Sequence, residues 1–204
     1  MAKIEINSEV KALIFDLDGT LSNSLPVHFF TWEKICQEFN CHFSKKILIE
    51  LTGKPTIVFA KRIIKENNLK GITPEELVKR KQQLLWDNAG LLKPHSDIVS
   101  LVYENYGKRP MAVGTGACRK SAKVQLEALH LTKYFDVVIS ADDVTHHKPN
   151  PETFLKCAEL LRVKPSNCQV FEDGVLGMEA ALKAGMFLTD VRPYTYNKQL
   201  QTIR

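Results

Sequence analysis

Residues 11–16, Lys-Ala-Leu-Ile-Phe-Asp, hold a continuous apolar run closed by a carboxylate. A short unbroken run of this kind predicts a strand buried on both faces of a parallel sheet, where a half-exposed strand would alternate apolar and polar positions. Similar runs recur at 110–114, 136–140, 168–172 and 186–191, with helical spacing between most of them. Strands alternating with helices predict a parallel sheet joined by right-handed crossovers. Asn150-Pro151-Glu152 predicts a helix over about 151–162, with Asn150 as its N-cap, Pro151 in the first helical position and Glu152 at the positive end of the dipole. A further helix is expected after Gly174. Ala180, Ala181, Leu182 and Ala184 suit close packing there, and Gly185 suits the left-handed position beyond its end.

Between about 23 and 91 the strand signals vanish. Ile57, Phe59, Ala60, Ile63 and Ile64 follow helical spacing, and Thr73-Pro74-Glu75-Glu76 reads as a capping box opening another helix. The expected architecture is α/β: a Rossmann-like parallel-sheet core with helices on both faces, made of residues 1–22 and 92–204, and an inserted α-helical cap at 23–91.

Composition adds bounds. The chain has 204 residues, 44% hydrophobic and 25% charged, which suits one α/β domain with an insertion and argues against disorder. The amino-terminal Met-Ala-Lys-Ile-Glu-Ile-Asn lacks the apolar stretch of a secretory signal, and no apolar run reaches the about 18 residues of a membrane span. A cytoplasmic protein without a membrane partner is expected, with a monomer as the default. The five cysteines have no paired spacing, which predicts free thiols and no zinc site. Of the net charge of +5, more than the whole surplus falls in residues 44–93, with eleven Lys/Arg against five Asp/Glu. These cations are interleaved with apolar helical positions and few aromatics, unlike a stacking surface for bases, so a nucleic-acid partner is not expected.

The chemistry gathers at the predicted strand ends, where parallel sheets bind ligands. Asp16-Leu17-Asp18-Gly19-Thr20 follows the first strand with two carboxylates one residue apart, and lacks the further oxygen ligands of an EF-hand calcium loop. Thr115 follows 110–114 between Gly114 and Gly116, offering a hydroxyl and backbone N–H groups to an anion. Lys148 precedes the helix at 151 and can neutralise a phosphate; the neighbouring His146-His147 lack the additional ligands of a metal site. Glu172-Asp173-Gly174 closes 168–172 with an acidic pair suited to magnesium.

These four signals, in this order, resemble the haloacid-dehalogenase superfamily of phosphatases and phosphomutases over nearly the whole chain. The resemblance implies that Asp16 is the nucleophile, Asp18 the general acid and base, Thr115 and Lys148 the phosphate-binding pair, and Asp16, Asp18 (through its carbonyl), Glu172 and Asp173 the magnesium ligands. The helical insertion is similar to the cap of the β-phosphoglucomutase-like subgroup, with His28 and Gly53-Lys54-Pro55 at that subgroup's hinge and cap-loop positions. His28, Gly53 and Lys54 at those positions, the basic Lys81 of the insertion and Gly116 beside Thr115 are expected to meet substrate. Arg109 to Gly116 and Tyr134 to Phe154 most resemble bacterial fructose-1-phosphate/6-phosphogluconate phosphatases. Ser22-Asn23-Ser24 departs from the acidic and hydroxyl residues that many relatives carry there. The implied activity is magnesium-dependent hydrolysis of a small sugar phosphate through an aspartyl-phosphate, with β-phosphoglucomutase as the alternative.

Overall fold

The computed structural model describes residues 4–51 and 55–195. In chain order the elements are β1 (Ala12–Phe15), β2 (Ser22–Asn23), α1 (Leu25–Glu38), α2 (Lys45–Leu51), α3 (Thr56–Asn67), α4 (Pro74–Asp87), β3 (Lys93–Pro94), α5 (Ser96–Asn105), β4 (Met111–Gly114), α6 (Arg119–Ala128), β5 (Val137–Ile139), α7 (Glu152–Leu160), β6 (Cys168–Glu172), α8 (Val175–Lys183) and β7 (Phe187–Asp190). The chain divides into two compact units. One takes the residues up to Asn23 and those from Leu92 onward, and the other is Ser24–Leu91.

In the first unit, five strands form a parallel sheet in the order β5-β4-β1-β6-β7. All four residues of β1 and β4 and all five of β6 are buried, as continuous apolar runs require when helices flank the sheet. Phe15 of β1 and its register partner Phe171 of β6 stack with centroids 4.7 Å apart. Ala180, Ala181 and Ala184 join the core around Ile14, Ala112 and Val170, their small side chains letting α8 approach closely. Gly185 takes φ +70° beyond that helix. A ribbon of two short antiparallel strands, β2 and β3, pairs the segments on either side of the insertion. The sequence gives no signal for two-residue strands.

The helix expected from 151 begins one residue later. Pro151 occupies the cap, and Asn150 acts through its side chain, whose Oδ1 accepts from the Glu152 N–H at 3.0 Å. It ends at Leu160 because the chain turns through Arg162 at φ +57°.

The second unit has helices and no strand among its described residues, as the loss of strand signals predicts. Trp32 is its centre, stacked between Phe43 and Phe59 and enclosed by Ile35, Ile63 and Leu77. The capping box forms: the Glu76 N–H donates to Thr73 Oγ1 at 3.2 Å, and the Thr73 N–H donates to Glu76 Oε2 at 2.8 Å. Several cations of the basic stretch are ion-paired, including Arg80 with Glu38 and Lys46 with Glu50. No helix among the described residues is long and apolar enough to cross a membrane.

Candidate active site

Strand order brings the chemistry together. Because β1 lies between β4 and β6, the residues that follow them start about one strand spacing, roughly 5 Å, apart. Asp16 follows β1, Thr115 follows β4, and Glu172 and Asp173 close β6. The Asp16 N–H donates to Phe171 O at 3.0 Å and the Thr115 N–H to Ile139 O at 2.9 Å, so the ladder fixes each backbone before any side chain acts.

Lys148 links these strand ends. Its Nζ donates to Asp16 Oδ1 at 2.7 Å, Glu172 Oε2 at 2.8 Å and Gly114 O at 3.0 Å, and it sits 4.6 Å from the Phe154 ring centroid. The three charged side chains are 12%, 9% and 4% exposed for Lys148, Asp16 and Glu172. Buried charges persist only when paired and fully hydrogen-bonded, and here one ammonium serves two carboxylates and a carbonyl.

One cation does not balance the site. Carboxylate oxygens of Asp16, Glu172 and Asp173 all lie within 4.8 Å of one another. Burial, with the charge of Glu172 second, pushes the Asp16 carboxyl well above its ordinary range against the opposing pull of Lys148. Burial and then Glu172 likewise push Asp173 up to about 7, while Thr20 and Lys148 pull it down. Burial alone would lower the Lys148 pKa; the charges of Asp16 and Glu172 outweigh it and raise it. Three convergent hard oxygen donors with surplus negative charge suit a divalent cation such as magnesium.

Two glycines make room for the acids. A Cβ on Gly19, whose φ is +89°, would lie 2.2 Å from Asp173 Oδ2, and one on Gly177 would lie 1.9 Å from Glu172 Oε2. Glu172 Oε1 accepts from the N–H groups of Asp173 at 3.1 Å and Gly174 at 2.8 Å, and Thr20 Oγ1 donates to Asp173 Oδ1 at 2.9 Å.

The Asp18 carboxylate is not one of the three clustered acids. Its Oδ2 accepts from Gln125 Nε2 on α6 at 3.1 Å. Thr115 is 1% exposed, and its Oγ1 accepts from the Ala117 N–H at 3.0 Å, holding open the loop in which Gly116 is exposed. In the helical unit Lys81 is 6% exposed, so it is not a surface lysine. Its Nζ is 2.8 Å from His28 Nδ1. An ammonium can only donate, so Nδ1 accepts and the ring proton sits on Nε2. Gly53 and Lys54 lie outside the described residues. Sequence reasoning missed Gln125, Gly177 and the bond made by Thr20. Gln125 carries a faint signal: with Ser121, Ala122 and Leu126 it lies on the buried face of α6, where an apolar residue is expected.

A parallel sheet with a lysine-bridged cluster of acids at its carboxyl end is suited to chemistry on an anionic substrate. The family model for haloacid dehalogenase-like hydrolases matches residues 13–191, and the chain belongs to that family. It is 40% identical over 184 residues to fructose-1-phosphate phosphatase YqaB of Escherichia coli, covering 88% of this chain and 95% of that one. It is 30% identical over 184 residues to a phosphorylated carbohydrates phosphatase of Thermotoga maritima, covering 87% and 82%. Among solved structures it is similar to β-phosphoglucomutase from Clostridium difficile, with TM-score 0.70, 27% identity and coverage of 89% and 84%.

Proposed function

We propose that this protein is a cytoplasmic phosphatase, acting as a single chain, that hydrolyses a small sugar phosphate of the fructose 1-phosphate or 6-phosphogluconate type through an aspartyl-phosphate on Asp16. The observation that carries the reading is the Lys148 bridge between Asp16 and Glu172, next to the Thr115 loop. It neutralises the carboxylate that must approach an anionic phosphate.

Lys148 donates to Asp16 Oδ1 and leaves Oδ2 to attack phosphorus. The bond from phosphorus to the sugar oxygen breaks, and protonated Asp18 gives that oxygen its proton. Asp18, now a carboxylate, takes a proton from the water that attacks phosphorus, and the bond to Asp16 breaks. The Thr115 hydroxyl and the loop N–H groups are assigned to phosphate oxygens. Magnesium, for which Asp16, Glu172, Asp173 and the Asp18 carbonyl are the proposed ligands, supplies positive charge to the transferring group when bound. Substrate selection is assigned to the helical unit, with His28 and Lys81 as its polar pair and Gly53 and Lys54 as expected contributors, and to Gly116 in the Thr115 loop.

The test is a panel of fructose 1-phosphate, 6-phosphogluconate and β-glucose 1-phosphate with and without magnesium, scored for free phosphate and for glucose 6-phosphate. Magnesium-dependent phosphate release that is abolished in Asp16→Asn is expected. Glucose 6-phosphate without free phosphate would establish the mutase alternative, which the likeness to β-phosphoglucomutase favours.

A further inference from the structure

Gln125 is a long polar side chain where the fold calls for an apolar one. It is 1% exposed, and its companions on the inner face of α6 are Ser121, Ala122 and Leu126. Burying an amide costs free energy unless it is hydrogen-bonded, and ordering a glutamine costs side-chain entropy as well. A leucine would fill the same space without the polar cost and with a smaller loss of side-chain entropy. The amide makes one hydrogen bond among the described residues, from Nε2 to Asp18 Oδ2 at 3.1 Å, across 107 positions of sequence; its Oε1 is buried without a hydrogen-bond partner among them. The bond ties the helix that follows the Thr115 loop to the loop that follows β1.

We infer that Gln125 is a positioning residue that fixes the direction of the Asp18 carboxylate, an inference that rests on the phosphatase reading. Asp18 is two residues from Asp16, yet it has to face the leaving oxygen and then the attacking water while Asp16, Glu172 and Asp173 converge elsewhere. A misplacement of about 1 Å at such a group costs on the order of a hundredfold in rate.

The test compares Gln125→Met and Gln125→Leu, each alone and combined with Asp18→Asn, in the magnesium-saturated enzyme with fructose 1-phosphate and with p-nitrophenyl phosphate, alongside melting temperatures. Loss of a charge-assisted hydrogen bond predicts a kcat lower by roughly 10- to 100-fold with KM within about twofold. In the Asp18→Asn background the same substitution should change kcat less than about twofold, because the group it acts through is already altered. Wild-type kcat in Gln125→Met, or equal losses in both backgrounds, would overturn the inference. If Gln125→Met does not fold, Gln125→Leu, the side chain the helix face otherwise calls for and also without the Nε2 donor, carries the same comparison. An inactive wild type on both compounds would overturn the phosphatase reading and the inference with it, whereas an active wild type with an unaffected Gln125 variant overturns the inference alone.

Discussion

Replacing Lys148 by methionine removes the ammonium while keeping most of the side-chain volume, so the loss is electrostatic. Two charge-assisted hydrogen bonds, at 2.7 and 2.8 Å, disappear from a buried site. Removing one partner of such a buried network costs about 3–5 kcal/mol, and at about 2–4 °C per kcal/mol for a chain of this size the metal-free protein should melt roughly 6–20 °C lower at pH 7.5. The pH dependence has a definite sign. In the wild type the folded Asp173 pKa of about 7 exceeds the unfolded value of 3.8, so the native state holds a proton that the unfolded chain has released. That contribution is complete below about pH 4 and is lost as pH rises to 7. Lys148 lowers the pKa of both Asp16 and Asp173. Without it these acids hold protons to still higher pH, and Asp173, already at about 7 in the wild type, is neutral at pH 5 in the folded variant. The deficit should therefore shrink by at least about half between pH 7.5 and pH 5 in calorimetric melts, and magnesium should restore part of it at the higher pH. An equal deficit at both pH values, or one below about 1 kcal/mol at pH 7.5, would refute the reasoning.

Asp16→Asn should remove turnover and raise the metal-free melting temperature, because it deletes one of three crowded carboxylates; paired activity and melting measurements check both. Gly177→Ala places a carbon where Glu172 Oε2 now sits, so the acid must move, and the stabilisation that magnesium gives in thermal melts should fall markedly. Trp32→Ala should cost about 3–5 kcal/mol in urea unfolding, since this side chain is 2% exposed between two aromatic rings.

The legible part of the molecule is where one residue type serves both local structure and packing. Apolar runs such as 168–172 announce doubly buried strands without regard to their neighbours, and the Thr73 capping box is a purely local device. The acids at the strand ends were legible because each follows such a run, and Lys148 because it precedes a helix start. Strand order was not written in any single segment, yet it is what sets Asp16 between Thr115 and Glu172. Contacts across long sequence separations were also hidden. Nothing near Gln125 points to a residue 107 positions away, and Gly177 looks like an ordinary helical glycine until Glu172 is placed against it. The burial of Lys81 against His28 likewise arises from packing between α1 and α4, where helical periodicity gave only a charged position.

Formation of an acyl phosphate on Asp16 can be measured directly. Enzyme quenched during turnover of a sugar phosphate and reduced with borohydride should yield homoserine at position 16, seen by mass spectrometry of the Ala12–Thr20 region, and the product should be absent when substrate is omitted. Steady phosphate release with residue 16 unmodified, or with the label on another side chain, would contradict the account.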